Sequence, residues 1–386
     1  MNIAARMAQI APFHVMELMA RAQALEAEGR SITHLEVGEP DFATADPILE
    51  AAQRFLSGGH VHYTAALGLP KLREAISDFY HTRYGLDIPP QRIVVTAGAS
   101  GALLLALGVL VNPGDEWLLP DPGYPCNRHF VRLLEGKPVS LAVEAMTNYQ
   151  PTAEQLAESW TARTRGLLVA SPANPTGTLI APGAMATLAA AVATRGGTLL
   201  VDEIYHGLTY GVDATSALAL DEEAFVINSF SKYFGMTGWR LGWLVAPQRY
   251  VREIEKLAQN LYIAPSTVAQ HAALAAFCPE TTAILESRRH EFSLRRDILL
   301  PGLRSLGFEI SAEPQGAFYV YANINGLADD SFELAEQLLT KAGVAATPGL
   351  DFGSNAPQSH MRFAYTIDRN RIGEGLTRMA AFLNSR

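Results

Sequence analysis

An α/β fold, with a mainly parallel sheet flanked by helices and a smaller α+β region after it, is what this 386-residue chain predicts. Three observations carry that expectation. Six short apolar runs, at 93–96, 116–119, 166–169, 198–201, 225–228 and 241–245, are apolar throughout rather than alternating, as strands covered on both faces are. Helical stretches lie between them, residues 102–111 being a clear case, so the order reads strand–helix–strand. The length exceeds that of one ordinary domain, and the pattern changes near residue 266.

In chain order, residues 11–28 read as an amphipathic helix ended by Gly29. An extended segment at 32–37 runs into a Gly38-Glu39-Pro40-Asp41 loop. The six runs follow. Beyond residue 266 come a long helical stretch at 267–300, a short apolar piece at 308–310, a strand-like run at 316–321, an amphipathic helix near 332–342 and a last strand at 361–365. The division this implies is a large domain of residues 43–275 and a small domain of residues 1–42 with 276–386.

Composition narrows the function classes. A net charge of −9 offers no clustered basic surface for nucleic acid. Two cysteines, Cys126 and Cys278, form no disulfide framework and suit a reducing compartment, and no zinc-ligand spacing is present. His14 and Glu17 interrupt the apolar stretch near the N-terminus, and no run reaches the roughly 18 apolar residues of a membrane span. The expectation is a cytoplasmic protein with no metal, no nucleic acid and no membrane partner.

The chemistry concentrates where apolar runs end. Ser229-Phe230-Ser231-Lys232 follows one run, and Gly238-Trp239-Arg240 comes shortly after. Lysine is rarely buried unless paired or functional, and a desolvated lysine is a competent nucleophile toward an aldehyde. Ser229 and Arg240 bracket it with groups suited to a phosphate. Asp202 ends another run, at the edge where open α/β sheets bind ligands, with Tyr205 close behind. Alone, Asp202 reads better as a helix N-cap. Asn174 sits in a Pro- and Gly-fixed loop, Ser171-Pro172-Ala173-Asn174-Pro175-Thr176-Gly177, that can aim its amide. Ala99 and Ser100 lie in a small-residue turn that opens a helix and can cradle an anion, although such turns also serve packing. Tyr124, between prolines, is a rigid ring able to stack on another flat ring, or a core aromatic. Arg362 lies within an apolar strand and needs an anionic partner, from a substrate or from an internal salt bridge.

Together these motifs, in this order and spacing, resemble the class I/II aminotransferases of the fold type I superfamily that uses pyridoxal 5'-phosphate (PLP). The resemblance runs from Gly38 to Arg362 and implies a seven-stranded sheet in the large domain. It implies that Lys232 forms the internal aldimine and shuttles the proton, that Asp202 pairs with the pyridine nitrogen, and that Tyr205 and Asn174 contact the phenolic oxygen. Tyr124 would stack on the ring. Ala99, Ser100, Ser229 and Arg240 would bind the phosphate. Arg362, with the Gly38 backbone and Asn174 nearby, would hold the substrate carboxylate. Tyr63 resembles the tyrosine that reaches the partner subunit's phosphate, which implies a homodimer.

The expected activity is transfer of an amino group from an L-amino acid to a 2-oxo acid. The phosphate loop around Ala99 and the 262–265 segment supply no cation for a second carboxylate, so the expected substrate is neutral or aromatic. A β-eliminating carbon–sulfur lyase would use the same lysine. A non-catalytic PLP-binding regulator would need a DNA-binding module ahead of the family pattern, for which the start of the pattern near residue 30 leaves no room.

Overall fold

Strands form where the chain can bury both faces, and helices cover those faces. In the computed structural model, which describes residues 3–385, the strands are β1 (Thr33–His34), β2 (Ile93–Thr96), β3 (Glu116–Asp121), β4 (Lys137–Ala142), β5 (Thr164–Ala170), β6 (Thr198–Asp202), β7 (Phe225–Ser229), β8 (Gly242–Val245), β9 (Tyr319–Asn323), β10 (Val344–Ala345), β11 (Thr347–Pro348) and β12 (His360–Ala364). Seven of them make one sheet in the order β2-β8-β7-β6-β5-β3-β4. Only β8 runs against its neighbours in that sheet.

The apolar runs are explained by what lies on each side. Leu168, Leu200, Ile227 and Leu244 pack with Leu103 and Ile254 of the helices Gly98–Leu110 and Gln248–Leu261. Their chain neighbours Leu167, Val201, Val226 and Val245 point the other way, into a core shared with Leu72, Leu188 and Leu285. Each strand therefore contributes apolar side chains to both faces, at about 25 cal/mol per Å² of apolar surface buried.

After residue 266 the expected α+β pattern is present, with shifted boundaries. The stretch at 267–300 is two helices, Thr267–Ala273 and Pro279–Ser305, because Pro279 cannot continue the first and instead starts the second. The run at 316–321 becomes a strand only at Tyr319, since Ala317 adopts a left-handed backbone at φ 57°. Strands β11, β12 and β9 form an antiparallel sheet, and β1 pairs with β10 in parallel. The N-terminal helix begins at His14 rather than at residue 11. The Asp351 carboxylate accepts from the backbone N–H groups of His14 and Val15, both at 2.8 Å, and so caps its first turn from far along the chain.

Because β8 alone is reversed, the C-terminal ends of β2, β3, β5, β6 and β7 share one edge of the sheet. The segments that leave this edge begin at residues 97, 122, 171, 203 and 230, and each carries residues singled out above.

Candidate active site

A cavity of about 210 Å³ opens at that edge. It brings together Gly38, Ala99, Ser100, Tyr124, Asn174, Asp202, Tyr205, Lys232, Arg240 and Arg362. Gly38, residues of β6 and β12, and residues of the segments that follow β2, β3, β5, β6 and β7 thus converge, although up to 324 positions separate them in the chain. A wider cleft of about 450 Å³ adjoins it, but Glu39 is the one charged residue in its lining.

Lys232 sits in the turn after β7, partly buried because its side chain faces the cavity. Its Nζ donates to the Gly38 carbonyl at 2.7 Å and lies 5.5 Å from the centroid of the Phe318 ring. Burial lowers its pKa to about 8, with Arg362 and Arg240 pushing the same way and Glu39 and Asp202 opposing. Asp202 is buried at the end of β6, and burial raises its carboxyl to about 6. One Asp202 oxygen accepts from the Ile204 backbone at 3.0 Å. The capping reading is therefore half right: the bond exists, but no helix follows. Behind it, Glu203 is raised to about 8 and His206 lowered to about 3, both chiefly by burial. The two groups lie 3.4 Å apart, and burial disfavours the charged form of each.

Tyr205 places its hydroxyl 3.0 Å from that of Tyr319. The Asn174 Oδ1 accepts from Arg362 at 2.9 Å, which leaves its amide N–H₂ free to face the cavity. Arg362 is buried between the rings of Tyr319 and Phe352, at 4.3 and 4.9 Å from their centroids. It also donates to the Glu36 carbonyl and to Thr347, while its Nε has no partner. No carboxylate pairs with it among the described residues. A buried cation held only by neutral groups is a receptor for an anion from outside.

At the other end, Arg240 adopts a left-handed backbone at φ 52°, and its guanidinium donates to the Thr237 carbonyl at 3.0 Å. It lies over the start of helix Gly98–Leu110, whose first N–H groups have no side-chain cap. Gly98 has φ 72°, a backbone conformation that favours glycine, and a Cβ there would come within 2.7 Å of the guanidinium. Ser229 lies one layer deeper, its Oγ within 3.1 Å of the Leu241 carbonyl and 3.0 Å of Ser231 Oγ. Of these two serines, it is Ser231 that lines the cavity. Tyr63 is 81% exposed and outside the cavity.

Some lining residues carry no signal in the sequence. Val15 and Met16 come from the N-terminal helix, which reads as an ordinary amphipathic helix, Phe13 from the residue just before it, and Tyr319 from a run that reads only as a strand. Period-2 alternation places Tyr319 and Tyr321 on one face of β9, but which face looks into the site depends on the packing of the two sheets.

The fold and the cavity define a PLP-type α/β transferase, and the comparisons agree. The family described as aminotransferase class I and II matches residues 30–379. The chain belongs to this family: it is a PLP-dependent aminotransferase. It is 38% identical to a valine–pyruvate aminotransferase of Mycobacterium tuberculosis over 98% of both chains. It is 34% identical to an aspartate aminotransferase of Pyrococcus horikoshii, over 98% of this chain and 96% of the other. A crystal structure of an aminotransferase from Mycobacterium tuberculosis superposes with a TM-score of 0.96, at 38% identity and with 100% of each chain covered.

The cavity fits PLP by the chemistry of its donors. A cation and an uncapped helix start suit the phosphate, a buried carboxylate suits a ring nitrogen, and a desolvated amine suits the aldehyde. No helix among the described residues is long and apolar enough to cross a membrane, and none of their His, Cys, Asp and Glu side chains cluster as a metal site.

Proposed function

We propose that this aminotransferase holds PLP covalently on Lys232 and passes the amino group of a neutral or aromatic L-amino acid to a 2-oxo acid. The observation that carries this reading is the single cavity in which the Lys232 amine, the buried Asp202 carboxylate and the carboxylate-free Arg362 meet. When bound, PLP supplies an aldehyde that captures amines and a ring that accepts electron density from Cα.

The residues divide the rest. Lys232 anchors the cofactor and, as a free amine, takes the proton from Cα and delivers it to C4'. Asp202 keeps a proton on the ring nitrogen, which gives the buried carboxylate its counter-charge. Tyr205 and the Asn174 amide donate to the phenolic oxygen, and Tyr124 lies against the ring. Ala99 and Ser100 at the helix start, with Arg240 and with Ser231 braced by Ser229, hold the phosphate. Arg362 and the Gly38 backbone orient the substrate carboxylate. Residues 43–275 form the cofactor-binding domain, and residues 1–42 with 276–386 the smaller one. Tyr63 reaches the phosphate of a second subunit in a cytoplasmic homodimer.

The substrate reading rests on the walls. Phe13, Val15, Met16, Val37 and Leu103 are apolar, and the cations of the cavity, Lys232, Arg240 and Arg362, are each assigned. Similarity to a valine–pyruvate enzyme supports a neutral donor, whereas the aspartate-using relative supports a dicarboxylate. A half-reaction screen of the twenty amino acids, scoring conversion of the bound cofactor to its amine form, decides. Neutral and aromatic amino acids are expected to react at least about tenfold faster than aspartate and glutamate. The reverse order overturns the substrate reading.

Arg362→Leu is expected to raise KM for every amino acid by roughly 10²-fold, because a bidentate charge-assisted pair is lost in a dry site. A rise confined to dicarboxylates would move Arg362 to the side-chain end of the substrate.

A further inference from the structure

Tyr319 is a cavity residue that no motif explains, and it touches three parts of the site at once. It opens β9 and is 2% exposed. Its hydroxyl is 3.0 Å from the Tyr205 hydroxyl. That hydroxyl also fills the space over Gly38: a Cβ there would lie 1.8 Å from the Tyr319 oxygen. The Gly38 carbonyl is the acceptor that holds the Lys232 amine. Finally, the Tyr319 ring lies face-on to the Arg362 guanidinium, 4.3 Å from centroid to carbon.

The direction of the tyrosine pair follows from proton counting. A phenol has one proton to give. If Tyr205 gives its proton to the cofactor's oxygen, it can only accept from Tyr319. Accepting a hydrogen bond polarises the Tyr205 O–H and makes it a better donor. The ring supplies a second effect at the opposite end, because a desolvated guanidinium stacked on a phenol is held in one plane.

We propose that Tyr319 is a positioning residue that joins the two ends of the site: its hydroxyl donates to Tyr205 and strengthens that residue's grip on the cofactor oxygen, while its ring fixes the plane in which Arg362 receives the substrate carboxylate. The inference rests on the roles proposed above for Tyr205 and Arg362. It also accounts for Gly38, the one residue type small enough to leave room for the phenol.

Two variants of the holoenzyme separate the hydroxyl from the ring. Tyr319→Phe keeps the stack and removes the donor. Weaker stabilisation of an anionic oxygen makes the cofactor hold its proton to higher pH, so the midpoint of its visible absorbance titration moves up by roughly half a pH unit. KM for alanine stays within about twofold, because the stack on Arg362 persists. Tyr319→Leu shows the same upward midpoint and also raises KM for alanine by roughly tenfold or more, while its reaction with ethylamine, which has no carboxylate, matches that of Tyr319→Phe. A Tyr319→Phe titration that superimposes on wild type overturns the proposal. So does a Tyr319→Leu variant that penalises ethylamine as much as alanine, which would mark a general collapse of the cavity. Should Tyr319→Leu fail to fold, the Tyr319→Phe titration decides alone. Failure of the underlying Lys232 reading is distinct, since the wild type would then show no titrating cofactor band.

Discussion

Lys232→Ala is expected to lose turnover by at least about 10⁴-fold and to lose the visible absorbance of the covalently held cofactor. No other amine in the cavity can substitute: Arg240 and Arg362 are the remaining basic groups, and a guanidinium neither deprotonates nor adds to an aldehyde at neutral pH. Methylamine added to the variant should restore part of the rate, because a free amine can enter the space left by the side chain. Wild-type rates in Lys232→Ala would remove the proposed chemistry. The same change tests the electrostatics without cofactor. The folded pKa of Lys232, about 8, lies below the unfolded value of about 10.5, so its charged form is penalised in the fold. The stability of the apo wild type should therefore rise between pH 8 and 10.5 by a component that the variant lacks. The variant's advantage is greatest below pH 8 and vanishes above 10.5.

Asp202→Asn should show the opposite sense of pH dependence and a separate kinetic defect. The amide keeps the bond from Ile204 but cannot neutralise a protonated ring nitrogen, so Cα deprotonation slows by roughly 10³-fold with the cofactor still bound. Stopped-flow measurement of the half-reaction reads this step directly, and an unchanged rate would remove Asp202 from the ring nitrogen. In the apo protein, burial raises the Asp202 carboxyl from 3.8 to about 6. A folded pKa raised above the unfolded one means that stability is full below 3.8 and falls as pH rises through 6. The Asn variant should accordingly melt alongside wild type at low pH and above it beyond pH 6, by on the order of 3 kcal/mol for a two-unit shift. Activity and apo stability then move in opposite directions at one residue.

What could be read beforehand divides along physical lines. The doubly covered strands announce themselves because burial on both faces leaves no polar positions, and Asp202, Lys232 and Asn174 stand out because they break such runs at their C-terminal ends. Strand β4 was invisible to that criterion. It is an edge strand whose residues are exposed or half-buried except Leu141, and Lys137-Pro138-Val139-Ser140 looks like a loop. Tyr319 and the N-terminal wall were hidden for another reason: their place in the site depends on how the small antiparallel sheet and the Asp351-capped helix dock, which local pattern does not encode. Ser229 shows the limit at finest scale. The motif names two serines, and a single rotation of the turn decides that Ser231 meets the cavity while Ser229 braces it.

The reversed strand β8 has a consequence for how this chain tolerates change. Pairing of Ser229 with Gly242, and the bond from the Phe230 N–H to the Leu241 carbonyl at 3.1 Å, tie together the two ends of the segment 230–241. The amine at 232 and the guanidinium at 240 therefore ride on one closed loop of fixed circumference. A residue inserted anywhere between them would displace one against the other by up to about 3.5 Å, more than a hydrogen bond can span. In that loop, length is guarded together with the side chains of Phe230, Tyr233, Phe234, Met236 and Leu241, which are all packed into the core.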